Sequence, residues 1–182
     1  NSYIAGGTSG SFNGSVNAGG YDAFLSKINS NGVEEWTKQF GAAGDESAKM
    51  VITDSSGNIY LSGHSSTSHS DDSKENFFIA RFKNDGTKVW QEDWGTDENE
   101  SFCTISISKD GAIYLSGIIE HGGESEQQDL FLTQWSANGK KIFEKKWEAG
   151  RDDNFRSVTT TLSGEILAVG YKKSEKCEDN DD

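Results

Sequence analysis

The stretch that decides the fold is DAFLSKINSNGVEEWTKQFG, residues 22–41, because the chain contains three versions of it. NFFIARFKNDGTKVWQEDWG follows at residues 76–95, and DLFLTQWSANGKKIFEKKWEAG follows at residues 129–150. Phe24, Phe78 and Phe131 recur at spacings of 54 and 53 residues, and several glycines keep nearly the same spacing. Such regular spacing indicates a repeat architecture.

Each period predicts four short strands, because its segments are rich in β-branched and aromatic residues. Two kinds of turn join the strands, the NSNG type and the DSSG type. Each turn ends in a glycine, which supplies the positive φ that a three- or four-residue hairpin loop with a bulge requires. These turn glycines are Gly32, Gly57, Gly86, Gly111, Gly139 and Gly164.

One strand of each period carries two aromatic residues four positions apart. Residues with this spacing lie on the same face of a strand, so each pair predicts an apolar ridge. The ridge residues are Trp36, Phe40, Trp90, Trp94, Phe143 and Trp147. A lone four-stranded sheet cannot bury such a ridge, whereas the sheets of a β-propeller pack face to face and can. A sugar-binding platform is the alternative, but the recurrence of the ridge in every repeat favours core packing.

The segment GYDAFLSKINSNGVEEWTKQFGAAGDESAKMVITDSSGNIYLSG, residues 20–63, resembles the seven-bladed beta-propeller repeat (SBBP-type) family. The matching residues are Gly20, Asp22, Phe24, Lys27, Gly32, Trp36, Phe40, Gly41, Asp45, Asp54, Gly57, Tyr60 and Gly63. The resemblance extends to about Tyr171 and fades in the third repeat, where Gln134, Phe143 and Glu148 replace the basic residue, Trp and Gly. It implies four-stranded blades and often an extracellular setting, and the family has no common catalytic residues.

The resemblance also implies where the blades begin and end. We expect a part-blade at residues 2–41, whole blades at 46–95 and 100–148, and a part-blade at 154–171, with an acidic tail at 172–182. The whole propeller segment, residues 1–171, then holds thirteen strands. A ring usually needs at least four blades, or about sixteen strands.

The expected ring is therefore incomplete, with other protein chains or missing blades completing it over Asn1–Gly41 and Phe155–Tyr171. A β-trefoil, which also has three repeats of four strands, is the alternative fold. The extra strand EILAVGY at residues 165–171 begins a fourth repeat and argues against the trefoil.

Composition excludes several classes of partner. The formal net charge of −13 disfavours nucleic acid and anionic membrane surfaces. No run of about 18 apolar residues is present to span a membrane. Cys103 is predicted to be a buried structural thiol, and the state of Cys177 is left open, as is glycosylation at the sequons of Asn13 and Asn99.

No catalytic or metal-binding constellation is predicted. His64, His69 and His121 are expected to be solvated residues of the variable loops. An acidic or amide residue precedes each fourth strand, and Asp45, Glu100 and Asp153 represent this feature in the three repeats. Its recurrence favours a structural role, in which the oxygens accept backbone N–H bonds in the turn between blades. Calcium binding by these oxygens is the alternative, and no other cofactor is expected.

The pattern favours a non-enzymatic structural and protein-interaction module of an extracellular or surface assembly, as part of a larger propeller. Two alternatives stay open. One is a glycan-binding propeller that uses loop aromatics and amides, and the other is a fragment of a propeller enzyme. The polar loops between the first and second strands of each repeat vary most, so recognition is expected there if these loops are more than solvated connectors.

Overall fold

The computed structural model describes residues 1–66, 74–121, 128–149, 154–161 and 163–171, and all regular structure in these residues is β-strand. The prediction of an all-β chain is therefore confirmed. In chain order the strands are β1 (Ser2–Thr8), β2 (Asp22–Ile28), β3 (Glu34–Phe40), β4 (Glu46–Thr53), β5 (Ile59–Ser66), β6 (Glu75–Phe82), β7 (Lys88–Trp94), β8 (Asn99–Ile107), β9 (Ile113–Glu120), β10 (Gln128–Trp135), β11 (Lys141–Ala149), β12 (Asn154–Thr160) and β13 (Ile166–Tyr171).

The strands form four antiparallel sheets in chain order. Sheet 1 contains β1–β3, sheet 2 contains β4–β7, sheet 3 contains β8–β11 and sheet 4 contains β12 and β13. Every paired strand pairs with its neighbour in the chain. This pairing excludes the β-trefoil, in which strands of different repeats pair to close a barrel. Across the described residues the sheets do not close into a ring.

Consecutive sheets pack face to face through their first strands. Strand β4 lies against β1 and β2, β8 lies against β4, β5 and β6, and β12 lies against β8 and β9. Sheets 2 and 3 are therefore covered on both faces, and both of their faces are apolar. One face of sheet 2 packs on sheet 1 through Ala23, Leu25, Ala48, Ile59, Leu61, Phe78, Ala80 and Phe82. Its other face packs on sheet 3 through Tyr60, Ile79, Ile105, Ile113, Leu115 and Trp135.

Six hairpin turns share one geometry. The turn glycines named above have φ between 78° and 89°, the left-handed region that glycine enters without a steric cost. The amide of each glycine donates to the carbonyl three residues earlier, as Gly32 does to Asn29. On the β2–β3, β6–β7 and β10–β11 hairpins a register shift lies next to the turn, for example between Lys27 and Ile28 just before it. The turns therefore set both the reversal of the chain and the alignment of the strands.

Strand β5 extends further than the sequence indicates. Strand β5 runs to Ser66 because its ladder with β6 continues to the Ser66–Glu75 pair. His64 therefore lies on a strand, and the expectation that it is a solvated loop residue is wrong. Its side chain is only 18% exposed, its Nδ1 lies 3.2 Å from Glu75 Oε2, and burial lowers its pKa.

None of the described segments forms a helix, so none forms a helix long and apolar enough to cross a membrane.

The turn glycines differ in what lies above them, and this difference predicts unequal losses of stability. A Cβ at Gly86 would lie 3.0 Å from Lys38 Cε and 3.1 Å from Trp36 Cδ2, whereas nothing lies within 4 Å at Gly57. Because φ is near 80° at both, each Gly→Ala change should cost about 1 kcal/mol of unfolding free energy. The Gly86→Ala variant should lose about 1 kcal/mol more, since Trp36 or Lys38 must move. Urea denaturation measures both losses, and equal losses would contradict the packing of Trp36 on this turn.

Candidate functional site: the contacts between sheets

The aromatic ridge of each outer strand packs on the sheet that follows. The Phe40 ring centroid lies 5.9 Å from that of Phe78 and 5.3 Å from that of Phe82, both on β6. The same contact recurs one sheet later, where Trp94 lies 5.0 Å from Phe131 on β10. Each ridge therefore packs on the face of the next sheet that does not carry that sheet's own ridge.

The third ridge, Phe143 and Trp147, is less completely covered than the first two. Trp147 packs against the cluster of Tyr114, Leu132 and Val158, on which Ile166 of sheet 4 also packs, but Phe143 remains 36% exposed. Sheet 4 has two strands in the described part of the chain, and neither corresponds to β6 or β10. The surface that covers Phe40 and Trp94 is thus not present for this ridge among the described residues.

A hydrogen-bonded clasp joins each ridge to a turn of the next sheet. Trp36 Nε1 donates to the carbonyl oxygen of Asn84 at 3.2 Å, and Lys27 Nζ lies 3.5 Å from the same oxygen. One sheet later, Trp90 Nε1 and Arg81 Nη1 donate to the carbonyl oxygen of Ala137 at 3.1 and 3.0 Å. We call this arrangement the Trp clasp: one indole and one basic side chain on a carbonyl of the following sheet.

The ridge residues are packed closely by a turn glycine next to the indole and by a lysine over the second ridge residue. The turn glycines Gly86 and Gly139 lie beneath the indoles of Trp36 and Trp90, where a Cβ would come within 3.1 and 3.0 Å of the rings. A lysine of the next sheet covers the second ridge residue from outside. Lys88 Nζ lies 5.1 Å from the Phe40 ring centroid, and Lys141 Nζ lies 5.0 Å from the Trp94 centroid, which suits a cation–π contact.

Two buried glutamates hold the turns between sheets. Glu46 Oε2 accepts the N–H of Ala42 at 2.8 Å, and Glu100 Oε1 accepts the N–H of Thr96 at 2.7 Å and its hydroxyl at 2.5 Å. Glu46 is 4% exposed and Glu100 is 1% exposed, and burial raises the pKa of each carboxyl. These are the backbone hydrogen bonds that the structural interpretation of the acidic positions requires.

The described ranges contain no cluster of ligands that would support the calcium alternative, because no three His, Cys, Asp or Glu side chains converge there. Asp45 Oδ1 accepts the N–H of Tyr21 at 2.8 Å, so this carboxylate also binds a backbone donor. Asp153 lies outside the described residues.

The remaining predicted residues are scattered. His121 Nε2 lies 3.0 Å from Asp129 Oδ2 just beyond β9, while His69 and Cys177 lie outside the described residues. Cys103 lies on β8, and its side chain is not among those described. The sequon residues Asn13 and Asn99 are exposed.

Residues 35–69 match the family model described as Beta-propeller repeat. This part of the chain is similar to a beta-propeller repeat. The resemblance seen in the sequence is thereby confirmed, and the four-stranded sheets are its blades. The matched segment begins in β3 and includes β4 and β5, so it spans the junction between the first two sheets. No curated protein matches the chain.

The departures of the third repeat fall on these contacts. Phe143 and Gln134 occupy the positions of the indole and of the basic residue, so the Trp clasp loses its indole donor and its cationic donor together. Glu148 stands where Gly41 and Gly95 stand, and a Cβ at either glycine would collide with the side chain of Asp22 or Asn76. The equivalent side chain in the third repeat, Asp129, pairs instead with His121.

Sequence reasoning missed the Trp clasp because its acceptor is a backbone carbonyl, which any residue supplies. The acceptors are Asn84 in one turn and Ala137 in the other, and the side chains share no chemistry. One signal was available, since the Trp and the basic residue change together in the third repeat. Residues that change together are expected to share a contact.

The shared acceptor predicts that the two donors of a clasp are coupled. Trp90→Phe should cost about 1 kcal/mol of unfolding free energy, the usual value of one hydrogen bond. Arg81→Met should cost about 2 kcal/mol, because Arg81 Nη2 also donates to Asn58 Oδ1 at 2.9 Å. Combining them should cost about 1 kcal/mol more than the sum, because only the double variant leaves the Ala137 carbonyl without a side-chain donor. Chemical denaturation of the four proteins gives this coupling. Val89→Ala, at a 44% exposed position of the same strand, serves as control, and strictly additive losses would contradict the clasp.

The raised pKa of Glu100 predicts a pH-dependent effect of its replacement. A carboxyl with a higher pKa in the folded state destabilises the fold as pH rises from the unfolded pKa through the folded pKa. Glu100→Gln keeps an oxygen acceptor for Thr96 and removes the charge. The Tm of the variant relative to the wild type should therefore be higher at about pH 7 than at about pH 4. Glu92→Gln, at an exposed position, should show no such trend, and a pH-independent difference for Glu100→Gln would refute the assignment.

Proposed function

We propose that the chain is a non-enzymatic structural and protein-interaction module, part of a larger propeller in an extracellular or surface assembly. It contributes blades, and it associates through the outward face of sheet 4, which a further blade or protein chain covers. The extracellular setting rests on the resemblance to repeats of surface and secreted proteins.

The supporting observation is the exposure of two residues on β13. Leu167 and Val169 are 54% and 60% exposed. The residues at the repeat position of Leu167 are Tyr114, 53 residues earlier, and Tyr60, 107 residues earlier. The residues at the repeat position of Val169 are Ser116 and Ser62, at the same two spacings. Tyr114 is 7% exposed, and Tyr60, Ser62 and Ser116 are fully buried. Residues of their own sheet or of the next sheet bury these side chains. The face of a sheet that is buried twice within this chain is therefore open on sheet 4.

Apolar side chains at this position favour association over solvation. Burying a leucine or valine side chain contributes about 1.5–3 kcal/mol. An open face of a sheet in an array of packed sheets is also a place where another sheet can bind. The net charge of −13 favours a partner whose contact surface is neutral or basic.

The experiment is sedimentation velocity over a range of protein concentrations. The wild type should associate, and Leu167→Asp/Val169→Asp should sediment as a single chain, because the two carboxylates cannot be buried in the interface. Val33→Asp/Val89→Asp adds the same charge at positions that are 58% and 44% exposed, and should associate as the wild type does. The proposal fails if the wild type stays a monomer at every concentration, or if both double variants behave alike.

A further inference from the structure

The outward face of sheet 1, which points away from sheet 2, is partly covered by the β1–β2 loop, residues 9–21. The Phe12 ring centroid lies 5.3 Å from that of Phe24. Phe24 has the repeat position of Phe78 and Phe131, which contact an aromatic residue of the preceding blade at 5.9 and 5.0 Å. Phe12 therefore occupies, on the first sheet, the place that a ridge residue of the preceding blade occupies on the next two.

Hydrogen bonds fix Phe12 in this place. Gln39 of β3 accepts the Phe12 N–H through Oε1 at 2.8 Å and donates to the Gly10 carbonyl through Nε2 at 3.1 Å. The loop then reverses at Asn13 and Gly14, with φ of 48° and 81°, and the Ser15 N–H donates to the Phe12 carbonyl at 3.0 Å. An Asn-Gly pair is the preferred sequence for such a tight turn.

The outward face also differs in charge from its counterparts. Sheets 2 and 3 carry Lys88 and Lys141, which cover the ridge residue of the preceding blade. At the same repeat position sheet 1 carries Glu34, whose Oε1 accepts a hydrogen bond from Asn13 Nδ2 in the loop. A position that binds the preceding blade in two sheets thus binds the loop in the first.

Part of the blade-receiving surface stays open. Nothing lies within 4 Å of a Cβ placed on Gly32, whereas its counterparts Gly86 and Gly139 lie beneath Trp36 and Trp90. The loop therefore replaces the aromatic residue at Phe24 but not the indole of the Trp clasp.

We propose that the outward face of sheet 1 is a blade-docking surface, and that the β1–β2 loop occupies it as an intramolecular cap. A blade packs there only after Phe12 has left Phe24. While the cap is in place, association is one-sided and proceeds through sheet 4. The inference rests on the proposed function in that blades associate through their faces, but it concerns the opposite end of the array.

The test of the cap uses Leu167→Asp/Val169→Asp as background, so that the fourth sheet makes no contribution. Adding Phe12→Ala/Gln39→Ala should raise the fluorescence of bound anilinonaphthalene sulfonate by about twofold, because Phe24 is uncovered. Further addition of Phe24→Gln should return the fluorescence to that of the background. Val16→Ala, at an 83% exposed position of the same loop, is the control and should leave it unchanged. No rise, or a rise that persists with Phe24→Gln, overturns the cap.

A milder variant guards against loss of the fold. Gln39→Glu keeps the acceptor for the Phe12 N–H and removes the donor to Gly10 and Asp22. Hydrogen–deuterium exchange of the loop should then rise at least about fivefold while the exchange of β5 and β9 is unchanged. Unchanged exchange of the loop contradicts the proposal.

The docking part is tested with Leu167 and Val169 intact. The uncapped variant Phe12→Ala/Gln39→Ala should form larger species than the wild type in sedimentation velocity, because the fourth sheet of one copy can now reach the first sheet of another. Sedimentation like that of the wild type overturns the docking surface. If the proposed function fails because sheet 4 does not associate, the fluorescence and exchange measurements still decide whether the loop is a cap.

Discussion

Each middle sheet of this protein is apolar on both faces, and a sheet of this kind is stable only between two neighbours. Sheet 2 shows the consequence, because Phe78 on β6 faces sheet 1 while Tyr60 and Ile79 face sheet 3. A continuous stack buries every face except the two at its ends. The hydrophobic effect therefore requires repetition of the sheet, and in the described part of the chain repetition leaves the outward faces of the first and fourth sheets without a neighbouring sheet.

The Trp clasp adds specificity to this stack. Aromatic contact alone tolerates sliding of one sheet over another, because apolar burial has no preferred direction. Two donors on one carbonyl fix the position of each ridge relative to the next turn, and the glycine beneath the indole admits no other side chain at that distance. The third blade lacks both the indole and the cation, since Phe143 and Gln134 replace them. Its contact with whatever follows is consequently less constrained than the two contacts before it.

Structural features that recur with the repeat period can be predicted from the sequence, and few others can. The spacing of Phe24, Phe78 and Phe131 marks the sheets, and Gly-ended turns mark the reversals, because only glycine adopts their φ without strain. The orientation of the ridges was not predictable, since the recurrence of a ridge in every blade does not indicate which face of the neighbouring sheet the ridge packs on. The length of β5 was not predictable either, because the ladder through His64 and Ser66 depends on a partner strand with no matching pattern. Contacts between a variable loop and its own sheet, such as Phe12 on Phe24, have no period at all.

The two ends of the stack are chemically unlike each other, and this difference gives the module a direction. At the first sheet an aromatic residue of the chain itself covers the position where a blade would pack, and Glu34 replaces the lysine that would meet an incoming ridge. At the fourth sheet Leu167 and Val169 have no such cover among the described residues. A stack whose ends differ in this way grows or binds at one end first, because the open end releases water from apolar surface at once, whereas the covered end must first lose the contacts of its loop. The variable loops, which the repeat pattern left without an assigned role, thus include at least one that determines where the next blade can bind.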